Sequence, residues 1–275
     1  VGKKKLNRVR EGVCQLTRRQ GKFVDSHLIP KALTKADGLG PGLLQMEYGR
    51  KARCASSWYD PQLVTREGED ILAAYDDWAI SELRKHKLVW SGWGAQVSLL
   101  GSPSEREAVT VRVLKGGDWK KLRLFFLSIL WRAAATKRPE FHEVSLPIED
   151  LEKLRLMVAS ANPNPLSFYP LSLMQLSTLG VKHNHSPLAM NKIVPNPKMG
   201  SELRVEPIFR FYFDGLIIHF SRLPQQECSE EGLGALRVGG DEDELIVTTL
   251  PWDSSAQQLN LGIVKRETEL GRPFF

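Results

Sequence analysis

Two apolar runs, Ile208 to Phe213 and Leu216 to Phe220, are separated only by Asp214-Gly215. A two-residue Asp-Gly loop favours a turn with positive φ at both positions, whose twist matches that of two antiparallel strands. The stretch therefore predicts a β-hairpin. A hairpin alone is marginal in water, so other strands must complete a sheet. Ala108 to Val113, Leu245 to Leu250 and Leu259 to Val264 are the strand candidates. An antiparallel sheet is thus required in the last third of the chain.

Helices are predicted elsewhere. Ile71, Leu72, Tyr75, Trp78, Ala79 and Leu83 recur at helical spacing within Arg66 to Lys87. Acids near the start of this segment and bases at its end suit the helix dipole. Trp119 to Thr136 reads as a strongly apolar helix and Ile148 to Ser160 as an amphipathic one. Residues 31–62 are rich in glycine and polar groups and read mostly as loop. Six prolines break up residues 161–201. Trp90 and Trp93 mark a junction where packing is the expected role. The expected architecture is α+β, with a module at residues 1–95 and a helical and antiparallel-sheet body at 96–275. No run of 18 apolar residues occurs, so no membrane span is expected. Only three cysteines are present (Cys14, Cys54, Cys228), which is no disulfide scaffold, and a cytoplasmic setting is the default. The basic start lacks the apolar stretch of a secretory signal.

Charge is unevenly placed. Residues 1–53 hold thirteen Lys or Arg against four acids, so under an overall charge of +6 the remainder of the chain is net negative. A basic segment on an acidic body suits phosphate binding. A solvated terminal segment would look the same.

Motifs lie within that basic segment. Residues 12–24 read as a short hairpin, followed by Asp25-Ser26-His27-Leu28-Ile29-Pro30-Lys31. Further on comes Trp58-Tyr59-Asp60-Pro61-Gln62-Leu63-Val64-Thr65-Arg66-Glu67-Gly68-Glu69. Together with Cys14-Gln15-Leu16-Thr17, these stretches resemble bacterial HNH endonuclease-like proteins that open with "CxLC … SHIIPK" and continue with "xYDxxLLCxxCE". In such proteins two CxxC knuckles hold a structural zinc, and the histidine hairpin is pinned to a helix that begins near the second knuckle. The segment from Leu130-Trp131-Arg132-Ala133 to Leu154-Arg155 also resembles the C-terminal part of these proteins.

This chain departs from the pattern in its cysteines. Of the four zinc-ligand positions only Cys14 is kept; Thr17, Thr65 and Gly68 take the others. Zinc needs four good donors, so no structural zinc is expected. Capping and apolar packing (Leu16, Phe23, Leu28, Leu63, Val64) must replace it, which argues for a tightly docked remainder of the chain.

The resemblance implies a ββα-metal fold and a metal-dependent endonuclease acting on DNA, with a role in bacterial anti-phage defence. His27 would be the general base. A Mg²⁺ or Mn²⁺ ion would sit on the phosphate. Glu69 matches the helix ligand, and His27, Asp25, Asp60 and Asp76 are further candidate ligands. Ser26 stands where an acidic ligand usually precedes the base. Lys31, Arg50, Arg53, Arg18 and Arg19 are candidate nucleic-acid contacts.

Plainer readings accompany these. Thr65 would serve as an N-cap, Glu69 as a helix-start acid, Asp76 as a solvated acid and His27 as a turn histidine. His183-Asn184-His185 spells the motif by chance in a proline-rich loop, and His219 reads as structural. The alternative function is a catalytically inactive subunit that binds nucleic acid or a protein partner within a defence complex. An RNA-cleaving toxin is a third option.

Overall fold

The computed structural model describes residues 11–34, 43–47, 50–54, 58–99, 109–195, 203–223, 234–240 and 243–269. The fold is mixed α+β. The chain begins with an antiparallel hairpin of β1 (Glu11–Val13) and β2 (Gln20–Lys22). Next come β3 (Ser26–His27), the single-turn helix α1 (Lys31–Thr34), and a second hairpin of β4 (Leu43–Glu47) and β5 (Arg50–Cys54). Then β6 (Tyr59–Asp60) returns to pair antiparallel with β3, placing His27 opposite Tyr59. After five intervening residues α2 (Arg66–Lys85) begins.

The rest is β7 (Thr110–Lys115), α3 (Trp119–Ala135), α4 (Ile148–Ala159), β8 (Leu171–Leu176), β9 (His183–Pro195), β10 (Leu203–Phe213), β11 (Leu216–Ser221), β12 (Glu244–Leu250) and α5 (Ala256–Glu269). Among the described residues an eight-stranded sheet runs β5-β4-β9-β10-β11-β8-β12-β7. Its centre is the expected Asp-Gly hairpin, with Phe213 opposite Leu216 and positive φ at Asp214 and Gly215.

Helix α3 explains why the chain is one packed body. Asp118 caps it by accepting from the Lys121 N–H at 2.9 Å. From Leu122 to Ala133 every side chain is buried, including Arg123, Ser128 and Arg132. A helix apolar on all sides must be surrounded, and α2 and α4 both pack against it. One continuous core runs from Cys14 and Leu16 through Leu72, Phe125 and Trp131 to Phe220 and Val247. A smaller cluster gathers Trp90, Trp93, Tyr212 and Trp252, so the two junction tryptophans pack as expected.

Several expectations change. The boundary at residue 95 does not separate two cores, because β4 and β5 belong to the sheet formed by later strands. Residues 31–62 are not mostly loop, since β4 and β5 lie there and β4 pairs parallel to β9, with Gln45 opposite Asn184. Long-range pairing of this kind leaves no local signature. The proline-broken region 161–201 holds β8 and β9; Pro187 falls in a register shift of β9 against β10, and Pro195 ends β9. Bulges and ends are where a strand tolerates proline. Leu259 to Val264 is helical within α5, not a strand.

Candidate functional site

The two candidate knuckles meet. The Cys14 thiol is fully buried, and the Thr17 N–H donates to its Sγ at 3.5 Å. Thr65 also hydrogen-bonds Cys14. A Cβ added at Gly68 would lie 2.6 Å from Cys14 Sγ. Burial pushes this thiol up, but the bonds from Thr17 and Thr65 outweigh it and hold the thiol below its ordinary value. Thr65 occupies the N-cap position of α2, yet its side chain makes no capping bond there.

Backbone bonds tie the two stretches together: Gln15 N–H to the Leu63 carbonyl at 3.0 Å and Val24 N–H to the Val64 carbonyl at 3.2 Å. Leu16, Leu28, Leu63 and Val64 are all buried in the main core, while Phe23 is half-buried and bridges to Thr65. Packing and hydrogen bonds therefore hold the hairpin to α2.

His27 sits half-buried at the end of β3. Its strand is fixed from both sides. The Leu28 N–H donates to the Trp58 carbonyl at 3.0 Å. The Arg132 Nη1 donates to the His27 carbonyl at 3.1 Å and to Asp76 Oδ2 at 2.9 Å. Burial lowers the His27 pKa, and the positive charges of Lys31 and Arg132 lower it further. Glu69 and Asp76 oppose them without reversing the shift. The imidazole is therefore neutral at neutral pH.

Glu69 lies in the first turn of α2, close enough to act electrostatically on His27. Its Oε2 is buried and has no hydrogen-bond partner among the described residues. Buried carboxylate oxygens normally have one, so this atom is the orphan of the site. Ser26 Oγ is also buried and unpartnered among the described residues, but strand alternation turns it to the face opposite His27.

The other candidate ligands have different roles. Asp76 uses both oxygens on the guanidinium of Arg132, which is 1% exposed. Asp60 accepts from the Gln62 N–H at 2.9 Å and the Thr136 hydroxyl at 2.6 Å. Both are structural acids, and neither is the solvated or metal-ready group that the sequence suggests. Asp25 is exposed beside the buried Ser26. Among the described residues, no three His, Cys, Asp or Glu side chains lie close enough to share a metal ion.

The candidate phosphate contacts are dispersed. Lys31 opens α1, exposed and near His27. Arg18 pairs with Glu152 at 2.9 Å and Arg19 with Glu67 at 2.5 Å. Arg50 and Arg53 lie on the edge strand β5, and their side chains are outside the described part.

Sequence reasoning missed what the second resembling stretch does. Arg132 holds the His27 strand, and Arg155 donates to the Leu16 carbonyl at 2.6 Å. Both arginines of that stretch thus act on the N-terminal motifs. The only signal was an arginine inside an otherwise apolar helix, which must find a partner. His183-Asn184-His185 opens β9 and is not in a loop; His183 and Asn184 are buried and His185 is half-buried. His183 Nδ1 bonds the Val181 carbonyl, so its Nε2 accepts from the Gln257 amide at 3.0 Å.

Fold and site together define a mixed α+β protein with a histidine strand clamped between a partner strand and two helices. Comparisons with known protein families, with curated proteins and with solved structures find no match. Among the described residues no helix is long and apolar enough to cross a membrane.

Proposed function

We propose that the chain is a metal-dependent endonuclease of the HNH type, acting on DNA in bacterial defence against foreign genomes, with a ββα-metal motif without zinc lying within residues 1–95. The observation that carries this reading is that a half-buried His27 lies within electrostatic reach of a buried Glu69 oxygen that has no hydrogen-bond partner among the described residues. The antiparallel pair of β3 and β6, followed by α2, supports a strand–strand–helix motif, with α1, β4 and β5 inserted between the two strands. Convergence of Thr17, Thr65 and Gly68 on Cys14 supports the correspondence of the knuckles.

In this reading His27 takes a proton from a water molecule as that water attacks phosphorus. The attacking oxygen forms its bond to phosphorus, the ester oxygen leaves, and solvent returns a proton to it. The orphan Glu69 oxygen would be a donor for a hydrated Mg²⁺ or Mn²⁺, which commonly keeps several waters and takes only one or two carboxylates, while the one basic nitrogen of His27 takes the proton. Such an ion, when bound, neutralises charge on the phosphate and leaving oxygen. Lys31 is placed to meet the substrate backbone. Arg132 positions the His27 strand without touching substrate.

The test is cleavage of plasmid and single-stranded DNA with Mg²⁺ or Mn²⁺, comparing the protein with His27→Ala and Glu69→Ala. Cutting that is lost in both variants and with chelator supports the reading. Cutting that survives His27→Ala removes it. A second reading, a binding subunit that has lost catalysis, is favoured by one observation: two of the candidate acids, Asp60 and Asp76, are engaged in structural bonds. Filter binding of DNA without turnover, unchanged by His27→Ala, would select it.

A further inference from the structure

A cavity of about 330 Å³ opens between the start of α4 and the loop leading into β8, sharing no residue with the His27 site. Its size lies at the lower end of small-molecule sites. Phe168, Tyr169 and Phe209 supply aromatic walls, and Asp150 and Arg222 supply opposite charges.

The wall is built in advance of any ligand. Arg123 on α3 is fully buried, and its guanidinium gathers four backbone carbonyls of the loop: Pro163 at 2.9 Å, Pro165 at 3.3 Å, Phe168 at 2.6 Å and Tyr169 at 3.4 Å. Tyr169 is held at a φ of +44°, a region that a bulky L-residue adopts only under constraint. Such outliers cluster at ligand clamps and active sites. The Tyr169 hydroxyl donates to Asp150 Oδ2 at 2.8 Å, which fixes the ring beside a carboxylate that lines the cavity. The Tyr169 and Phe209 rings are near parallel, 23° apart, with centroids separated by 6.4 Å.

Arg222 is exposed and lies over Phe209, 4.7 Å from the ring centroid. Among the described residues it makes no ion pair. An exposed guanidinium lying over an aromatic ring suits a phosphate bound through two oxygens.

We propose that this cavity binds a mononucleotide, with the base against the aromatic walls, an N–H of the base on Asp150 and the phosphate on Arg222. Each feature excludes a simpler ligand. Inorganic phosphate would leave the aromatic walls unused. A benzoate-like carboxylate would bring no N–H for Asp150. The inference is independent of the nuclease reading, because binding is measured without cleavage.

The test is isothermal titration calorimetry of the full chain with the four common 5′-mononucleotides, the matching nucleosides, inorganic phosphate and benzoate. One nucleotide per chain should bind, more tightly than its nucleoside by about tenfold, the gain expected from one charge-assisted contact. Arg222→Ala, an exposed position whose loss leaves the core intact, should erase that difference and spare nucleoside binding. Asp150→Asn should weaken nucleotide and nucleoside alike. His27→Ala and Glu69→Ala should change neither. The proposal is overturned if no nucleotide binds, if phosphate or benzoate binds as well as the nucleotide, if Arg222→Ala has no effect, or if His27→Ala abolishes binding.

Discussion

Arg123 and Arg132 lie nine residues apart on α3, and nine residues turn a helix through about half a revolution relative to its axis. Both are fully buried. Arg132 faces the His27 corner, where it meets a carboxylate, a carbonyl and the Ser128 hydroxyl. Arg123 faces the loop before β8, where it meets carbonyls only. The same side chain on one helix thus organises two regions by different means. In the first, two opposite charges hold each other. In the second, one cation is surrounded by dipoles, and burial drags its pKa down to about 9. A buried pair is intolerant of losing one member, because the survivor is stranded. A buried cation among carbonyls carries its desolvation cost already, so its removal is partly repaid.

Substitutions can break that contrast. Asp76→Ala strands Arg132 and should destabilise the protein by about 3–5 kcal/mol, read as a shifted midpoint in urea unfolding. Adding Arg132→Met should recover a large part of the loss. If the double variant is no better than the single, the pair is not the unit that holds this corner.

A pH series isolates the sheet from both corners. His183 is buried and its pKa is pushed down to about 4, first by burial. The unfolded chain therefore binds a proton that the folded chain rejects. The stability from neutral His183 is complete above about pH 6.5 and is lost as pH falls towards 4, by about 3 kcal/mol. His219, pushed down to about 3 by burial, extends the fall to lower pH. Unfolding midpoints at pH 7 and pH 4.5 should differ clearly, and His183→Gln should reduce the difference. Equal midpoints in the parent protein would mean that His183 is hydrated.

Arg123→Met should cost about 2 kcal/mol, less than the loss of Asp76, because freed carbonyls are offset by relief of a buried charge. It should weaken nucleotide binding in the aromatic cavity and leave DNA cleavage unchanged. Asp76→Ala should do the reverse. If either variant alters both activities alike, the two regions are one. Thr136→Val gives the smallest change, about 1 kcal/mol for one hydrogen bond to Asp60, measured by urea unfolding.

The sequence was most readable where pattern and turn chemistry agreed. Asp214-Gly215 between apolar runs required a hairpin, and the apolar spacing in residues 66–87 required a helix. Cys14, Thr17, Thr65 and Gly68, singled out together in the sequence, do come together in the structure. Pairings made at a distance were not readable. Nothing near residue 45 announces that β4 will lie beside β9. In α5, the alternation of Leu259, Leu261 and Ile263 mimics a strand, while Ala256 to Glu269 is helical. The roles of Asp60 and Asp76 depend on Thr136 and Arg132, which are 76 and 56 positions away. An acid looks available in a sequence until its partner is placed.

The pairing of β4 with β9 has a consequence for synthesis on the ribosome. The β4–β5 hairpin is made early, but the strand that anchors it begins only at His183. At about 5–20 residues per second, the hairpin's inner edge stays unpaired for on the order of ten seconds. During that interval it is an open edge that invites other strands. A ribosome stalled before residue 183 would therefore present a sticky nascent chain, and chaperone demand should fall once β9 has emerged.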